Sequence, residues 1–102
     1  MTKLANQTFT VFVDDNFHYQ DQDERYSAGE FGSYEEAVAE CKRIVELSLQ
    51  EGLSQKGPMT ADQLYSYYTS FGDDPFVTPG STDHSRFSAW DHAKERCKIL
   101  CP

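Results

Sequence analysis

The densest polar feature of the chain runs from Asp14 to Glu24, where Asp14, Asp15, Asn16, His18, Asp21, Asp23 and Glu24 crowd together. Hard cations such as Ca²⁺ or Mg²⁺ take several carboxylate and carbonyl oxygens from a loop, which makes Asp14, Asp15, Asp21 and Asp23 candidate metal ligands. The spacing departs from the calcium-loop template. Counted from Asp14, Asn16 suits the third position, but His18 occupies the fifth and Tyr19 stands where the turn glycine belongs. Arg25 then takes the place of the closing bidentate glutamate. A solvated hairpin loop accounts for the same residues. Within it, Phe17, His18 and Tyr19 form an aromatic cluster among acids. If exposed, they make an interface anchor ringed by charge; if buried, they fold the loop back onto a sheet.

Other residue types invite chemistry less well. Cys97 and Cys101 lie four apart on an expected helix and offer half of a zinc site, with Cys41 or His92 as further donors. Cys41 and Cys97 both fall on apolar stripes, where a free cysteine serves as a small core residue. A thiolate nucleophile needs a helix start or a neighbouring cation, and Cys41 sits mid-helix. Asp83-His84-Ser85 contains the residue types of a triad, yet consecutive side chains point apart and triad members meet from separate elements. Helix capping explains the aspartate and serines better. Nothing calls for a cofactor.

Composition narrows the partners. Nine Lys and Arg against 17 Asp and Glu give a net charge of −8 in 102 residues. Nucleic-acid binders need clustered cations to displace counterions, and the basic residues here are scattered, so neither nucleic acid nor an anionic membrane surface is an expected partner. Cationic proteins, peptides and metal ions remain, with a second copy of the chain as a further partner. Three cysteines cannot all pair within one chain, which fits a reducing compartment, and Met1–Thr8 lacks the layout of a secretory signal; a cytoplasmic location follows as an expectation. No apolar run approaches the roughly 18 residues that span a bilayer. Aromatic residues make up 14% of the chain, enough ring surface to build one small core.

The elements that must position these residues follow from periodicity. Phe9 to Val13 alternates as a half-buried strand, and Arg25 to Phe31 reads as its antiparallel partner across the acidic loop. Ser33 with Glu36 signals a helix start; the stripe Tyr34, Ala37, Val38, Cys41, Ile44 and Val45 follows, and Gly52 is expected to stop the helix, with Leu53 folding back onto Leu47. Gly52 to Pro58 then reads as a connection. Thr60 with Gln63 repeats the capping logic for a helix from Ala61 to Phe71 that buries Leu64, Tyr67, Tyr68 and Phe71 and ends at Gly72. Asp73-Asp74-Pro75 reads as a turn before a short strand, Phe76 to Thr78. Pro79 to Ser85 is turn chemistry. A last helix beginning near Ser85 or Ser88 carries Trp90, Ala93, Cys97 and Leu100 inward, with Asp91 capping its first turn.

The result is a single small α+β domain over residues 1–102, in the order β-β-α-α-β-α. A two- or three-stranded antiparallel sheet carries three helices packed on one face. The other face, with Phe12 and Phe31, stays open to water or a partner.

The segments Val13-Asp14-Asp15-Asn16-Phe17-His18-Tyr19, Gly29-Glu30-Phe31 leading into Tyr34-Glu35-Glu36-Ala37, Met59-Thr60-Ala61 and Phe87-Ser88-Ala89-Trp90-Asp91-His92-Ala93 resemble a group of short, uncharacterised bacterial proteins. The resemblance spans most of the chain and implies a bacterial, cytosolic, single-domain protein. It implies no activity and no catalytic residue.

Two functional expectations stand. The first is a non-enzymatic protein-interaction or regulatory module acting through the open sheet face and the acidic loop, with Phe12, Phe17, His18 and Tyr19 as binding residues. The second is a metal-dependent or acid-base enzyme at a cleft between the acidic loop and Asp73-Asp74-Pro75, with His18 as the titrating group. The second requires both acidic segments to lie at one end of the sheet.

Overall fold

The computed structural model describes residues 8–18, 25–78 and 87–102. Strand β1 (Phe9–Asp15) alternates as its sequence dictates: Val11 and Val13 are buried on one side, and Thr10, Phe12 and Asp14 face the other. It extends two residues beyond Val13, taking Asp14 and Asp15 out of the expected loop. One 3₁₀ turn (Asn16–His18) follows.

Strand β2 (Tyr26–Phe31) lies antiparallel to β1, with Phe9 opposite Phe31 and Val13 opposite Tyr26. The register shifts where Val11 faces Gly29 and Phe12 faces Ser27, leaving Ala28 as the extra residue of a bulge. Gly29 holds φ +128°, a conformation that side chains disfavour. The bulge corrects one expectation. Strict alternation places Phe31 on the open face, whereas the extra residue turns it inward, where it packs with Phe9 and Ala28 against the core.

Helix α1 (Tyr34–Lys56) starts at Ser33, whose Oγ accepts the Glu36 amide at 3.1 Å. It does not stop at Gly52. Gly52 is buried inside the helix, where an added Cβ would stand 3.0 Å from the Tyr67 ring, so this glycine is a notch for packing and Gly57, at φ +81°, ends the helix. Residues 52–56 are therefore helical. Leu53 joins the helix–helix core, and Leu47 stays exposed.

Helix α2 (Ala61–Phe71) has a full capping box from Thr60 and Gln63 and ends at Gly72 as its sequence predicts. Strand β3 (Asp73–Thr78) is longer than expected, because Asp73, Asp74 and Pro75 pair with Asp15, Asp14 and Val13 rather than forming a turn. Pro75 is tolerated because the strand order β2-β1-β3 leaves β3 at an edge, the part of a sheet in which proline is accommodated. Helix α3 (Ala89–Leu100) is capped by Ser88, whose Oγ accepts the Asp91 amide at 3.3 Å. The turn expected over Pro79 to Ser85 lies outside the described residues.

Two clusters make the core. The N-terminal half of α1 closes one face of the sheet, with Ala37, Cys41 and Ile44 against Val11, Val13 and Val77. Its C-terminal half packs Val45 and Leu49 on Leu64 and Tyr68 of α2 and on Ala89, Ala93 and Cys97 of α3. The protein is thus an α+β fold with a three-stranded antiparallel sheet and three helices.

Candidate functional site

The face of the sheet turned away from α1 is built from the alternate residues of each strand. Phe12 of β1 lies directly opposite Phe76 of β3, with ring centroids 6.0 Å apart, and neither ring belongs to a core cluster. Arg25 reaches across this face. Its guanidinium donates to both carboxylate oxygens of Asp14, at 2.6 and 3.1 Å, and lies 5.0 Å from the centre of the Phe76 ring. Among the described residues this face is therefore aromatic, with Arg25 latched across it.

At one end of the same two strands, acids from distant parts of the sequence meet. Asp14 pairs with Asp74 and Asp15 with Asp73 across β1 and β3, so the condition that both acidic segments share one end of the sheet is met. Like charges placed opposite one another oppose folding. Arg25 offsets Asp14, but burial and the nearby Asp14 push the Asp74 carboxyl up to about 6. Asp73 is raised in the same direction, first by burial and then by Asp15 and Glu51; its amide donates to Ser48 Oγ at 3.1 Å. Neighbouring strand residues point to opposite faces, so Asp14 and Asp15 cannot converge on one ion. Among the described residues no group of three or more His, Cys, Asp or Glu is arranged to hold a metal. The other two candidate ligands, Asp21 and Asp23, lie outside the described residues.

The raised Asp74 carboxyl has a consequence for stability. Between its ordinary value of 3.8 and about 6 the folded state binds more protons than the unfolded chain, so stability falls as pH rises through that window. Asp74→Asn removes the effect. The expected gain near neutral pH is about 1–2 kcal/mol, and urea unfolding at a series of pH values should show wild type losing more stability toward neutrality than the variant, which keeps only the contribution of Asp73. Equal slopes for the two proteins would refute the assignment.

Asn16, which suits the third position of the calcium-loop template, is instead a buried connector. Its amide nitrogen donates to the Tyr68 carbonyl at 3.0 Å, its side-chain oxygen accepts from Trp90 Nε1 at 3.2 Å, and its backbone N–H donates to the Gly72 carbonyl at 3.0 Å. One side chain thereby joins β1, α2 and α3. No helical or strand periodicity announces such a role; the only signal is that asparagine carries both a donor and an acceptor.

Phe17 is exposed, the first of the two alternatives left open by sequence, and stacks on Phe71 of α2 at 5.5 Å. Phe71 in turn meets Tyr67 at 5.3 Å. Phe71 was expected on the buried stripe. Leu64 and Tyr68 take that role, while Phe71, at the last position of the helix, is exposed and lies against Phe17 and Tyr67. The His18 side chain and Tyr19 lie outside what is described.

Trp90 is also displaced from its expected place. Helix α3 begins at Ala89, which takes the buried position, and Trp90 is 38% exposed at the mouth of a groove between α2, α3 and the edge of β3. Sequence reasoning missed this groove, whose wall combines Tyr65, Phe76 and Trp90 with Asp74 and Asp91.

The thiols divide between the two cores. Cys41 lies under the sheet with its thiol pushed up to about 12 by burial, and Cys97 lies among the helices at about 11 for the same reason. Both are protonated core residues at neutral pH, separated by the fold rather than gathered around a metal. Among the described residues no helix is long and apolar enough to cross a membrane. Comparison of the chain with protein-family models, with curated proteins and with solved structures finds no match in any of the three.

Proposed function

We propose that the chain is a non-enzymatic protein-interaction module that captures a cationic segment of a partner on the outer face of its sheet. The observation that carries this reading is the Phe12–Phe76 ring pair, left outside both core clusters and bordered by Asp14 and Asp74. Rings supply contact area at small entropic cost, and the bordering carboxylates select positive charge. Asp74, opposite Asp14 on this face, is a carboxylate whose ionisation reduces stability, and a fold keeps such a feature where a surface serves something other than folding. A second copy is the weaker occupant, since a charge of −8 on each chain opposes self-association.

The test uses a synthetic peptide of alternating lysine and valine, which presents a cationic and an apolar face in extended form. Wild-type protein should bind it with an affinity that falls as salt rises, and Phe12→Ser should weaken binding about tenfold or more, because Phe12 lies at the centre of the surface and outside the core. No binding at low salt, equal binding by the variant, or a dimer in sedimentation that Phe12→Ser dissolves would overturn the reading.

A further inference from the structure

The groove beside β3 has a composition that the outer face lacks. It encloses about 450 Å³, and four aromatic side chains, Tyr65, Phe76, Phe87 and Trp90, line it together with Asp74 and Asp91. Rings attract cations through the negative potential of their faces, and a set of rings with carboxylates nearby is how an organic ammonium is distinguished from an apolar chain of the same size.

We infer that this groove receives the alkylammonium head of a lysine side chain presented by the cationic partner. Lys94 Nζ lies 6.0 Å from the centre of the Tyr65 ring and Arg25 lies over Phe76, so these rings already engage cations of this chain and an incoming ammonium is received by Trp90 with Asp74 and Asp91. The Trp90 indole is held in place by its hydrogen bond to Asn16, a buried residue, so the aromatic wall is fixed before any ligand arrives. Asp74 makes no ion pair among the described residues, since Arg25 is committed to Asp14. The positive end of the α3 dipole opposes a cation here, and Asp91 in the first turn of that helix offsets it. Phe76 contributes to both surfaces, which makes the groove continuous with the outer face. A segment lying across Phe12 and Phe76 can therefore pass a side chain over the edge of β3 into it.

This inference rests on the cationic-partner reading for the source of the ammonium, and one experiment separates the two. Trp90 is the only tryptophan, so its fluorescence reports on the groove alone. The probes are a blocked Gly-Lys-Gly peptide and the same peptide with norleucine in place of lysine. The lysine probe should change Trp90 emission saturably, the norleucine probe should not, and Asp74→Asn should weaken the response about fivefold or more while remaining folded. Silence of Trp90 toward the lysine probe, or an equal response to norleucine, would overturn the groove assignment. If the long lysine–valine peptide still binds with Phe12 dependence in that case, the outer-face reading survives alone. If the short probe binds but the long peptide does not, the groove stands and the outer-face reading falls.

Discussion

Asn16→Ala is expected to destabilise the fold by about 2–3 kcal/mol. The substitution removes the donor to the Tyr68 carbonyl and the acceptor for Trp90 Nε1 from a residue only 7% exposed, and it leaves a small void where three elements meet. The Tyr68 carbonyl keeps the Gly72 amide at 2.8 Å, and the partly exposed indole can bond to water, which holds the loss to this range. Urea unfolding followed by far-ultraviolet circular dichroism gives the stability change. Trp90 emission of the folded variant should shift to the red as the indole loses its protein partner. A change below about 0.5 kcal/mol would mean that Asn16 joins nothing of consequence. Asn16→Asp keeps the shape and the acceptor but loses the donor and adds charge beside Asp15. It should cost at least as much near neutral pH, and less when acid protonates the new carboxyl.

Gly72→Ala should be at least as damaging, at about 3 kcal/mol, for a different reason. Gly72 holds φ −80°, which alanine adopts freely, so no backbone strain is involved. The obstacle is steric. An added Cβ would overlap Cδ1 of the Tyr68 ring and stand 2.8 Å from Cε1 and 2.9 Å from the Tyr68 carbonyl oxygen. The ring cannot swing aside, since it is 1% exposed in the helix core and its hydroxyl donates to the Asp73 carbonyl at 2.6 Å. Overpacking a rigid site of this kind costs about 1–3 kcal/mol and sometimes more. Combining Gly72→Ala with Tyr68→Ala should cost clearly less than the sum of the single changes, because the second removes the ring with which the first collides. Strict additivity in chemical denaturation would show that the ring is not the obstacle.

Both substitutions address the junction where β1 leaves the sheet, and that junction shows what was readable in the chain. Local signals worked where neighbours in sequence decide the outcome. Ser33, Thr60 and Ser88 begin helices because each hydroxyl reaches an amide three residues on, and Val11 and Val13 face inward because strand alternation leaves them no other side. They failed where a distant residue decides. Gly52 has the composition of a helix stop, yet Tyr67 packs against it and the helix continues to Lys56. Asp73-Asp74-Pro75 has the composition of a turn, yet β1 supplies a ladder that draws it into an edge strand. The candidate site was legible only in part: Phe12 was expected on the outer face and Phe17 was left between exposure and burial, whereas the Asn16 junction combines residues more than fifty positions apart and the groove draws on three separate elements.

The amino-acid order alone determined an acidic α+β chain with its strand and helix sequence, two helix caps placed to the residue, and enough ring surface for a small core. The fold in three dimensions decided which rings remained outside, which acids came face to face, and which polar side chain closed the junction. The physical reason is one of range. Hydrogen bonds within a turn and the alternation of a strand act over a few residues, whereas burial and charge pairing depend on which segments meet, and only the packed chain brings those together.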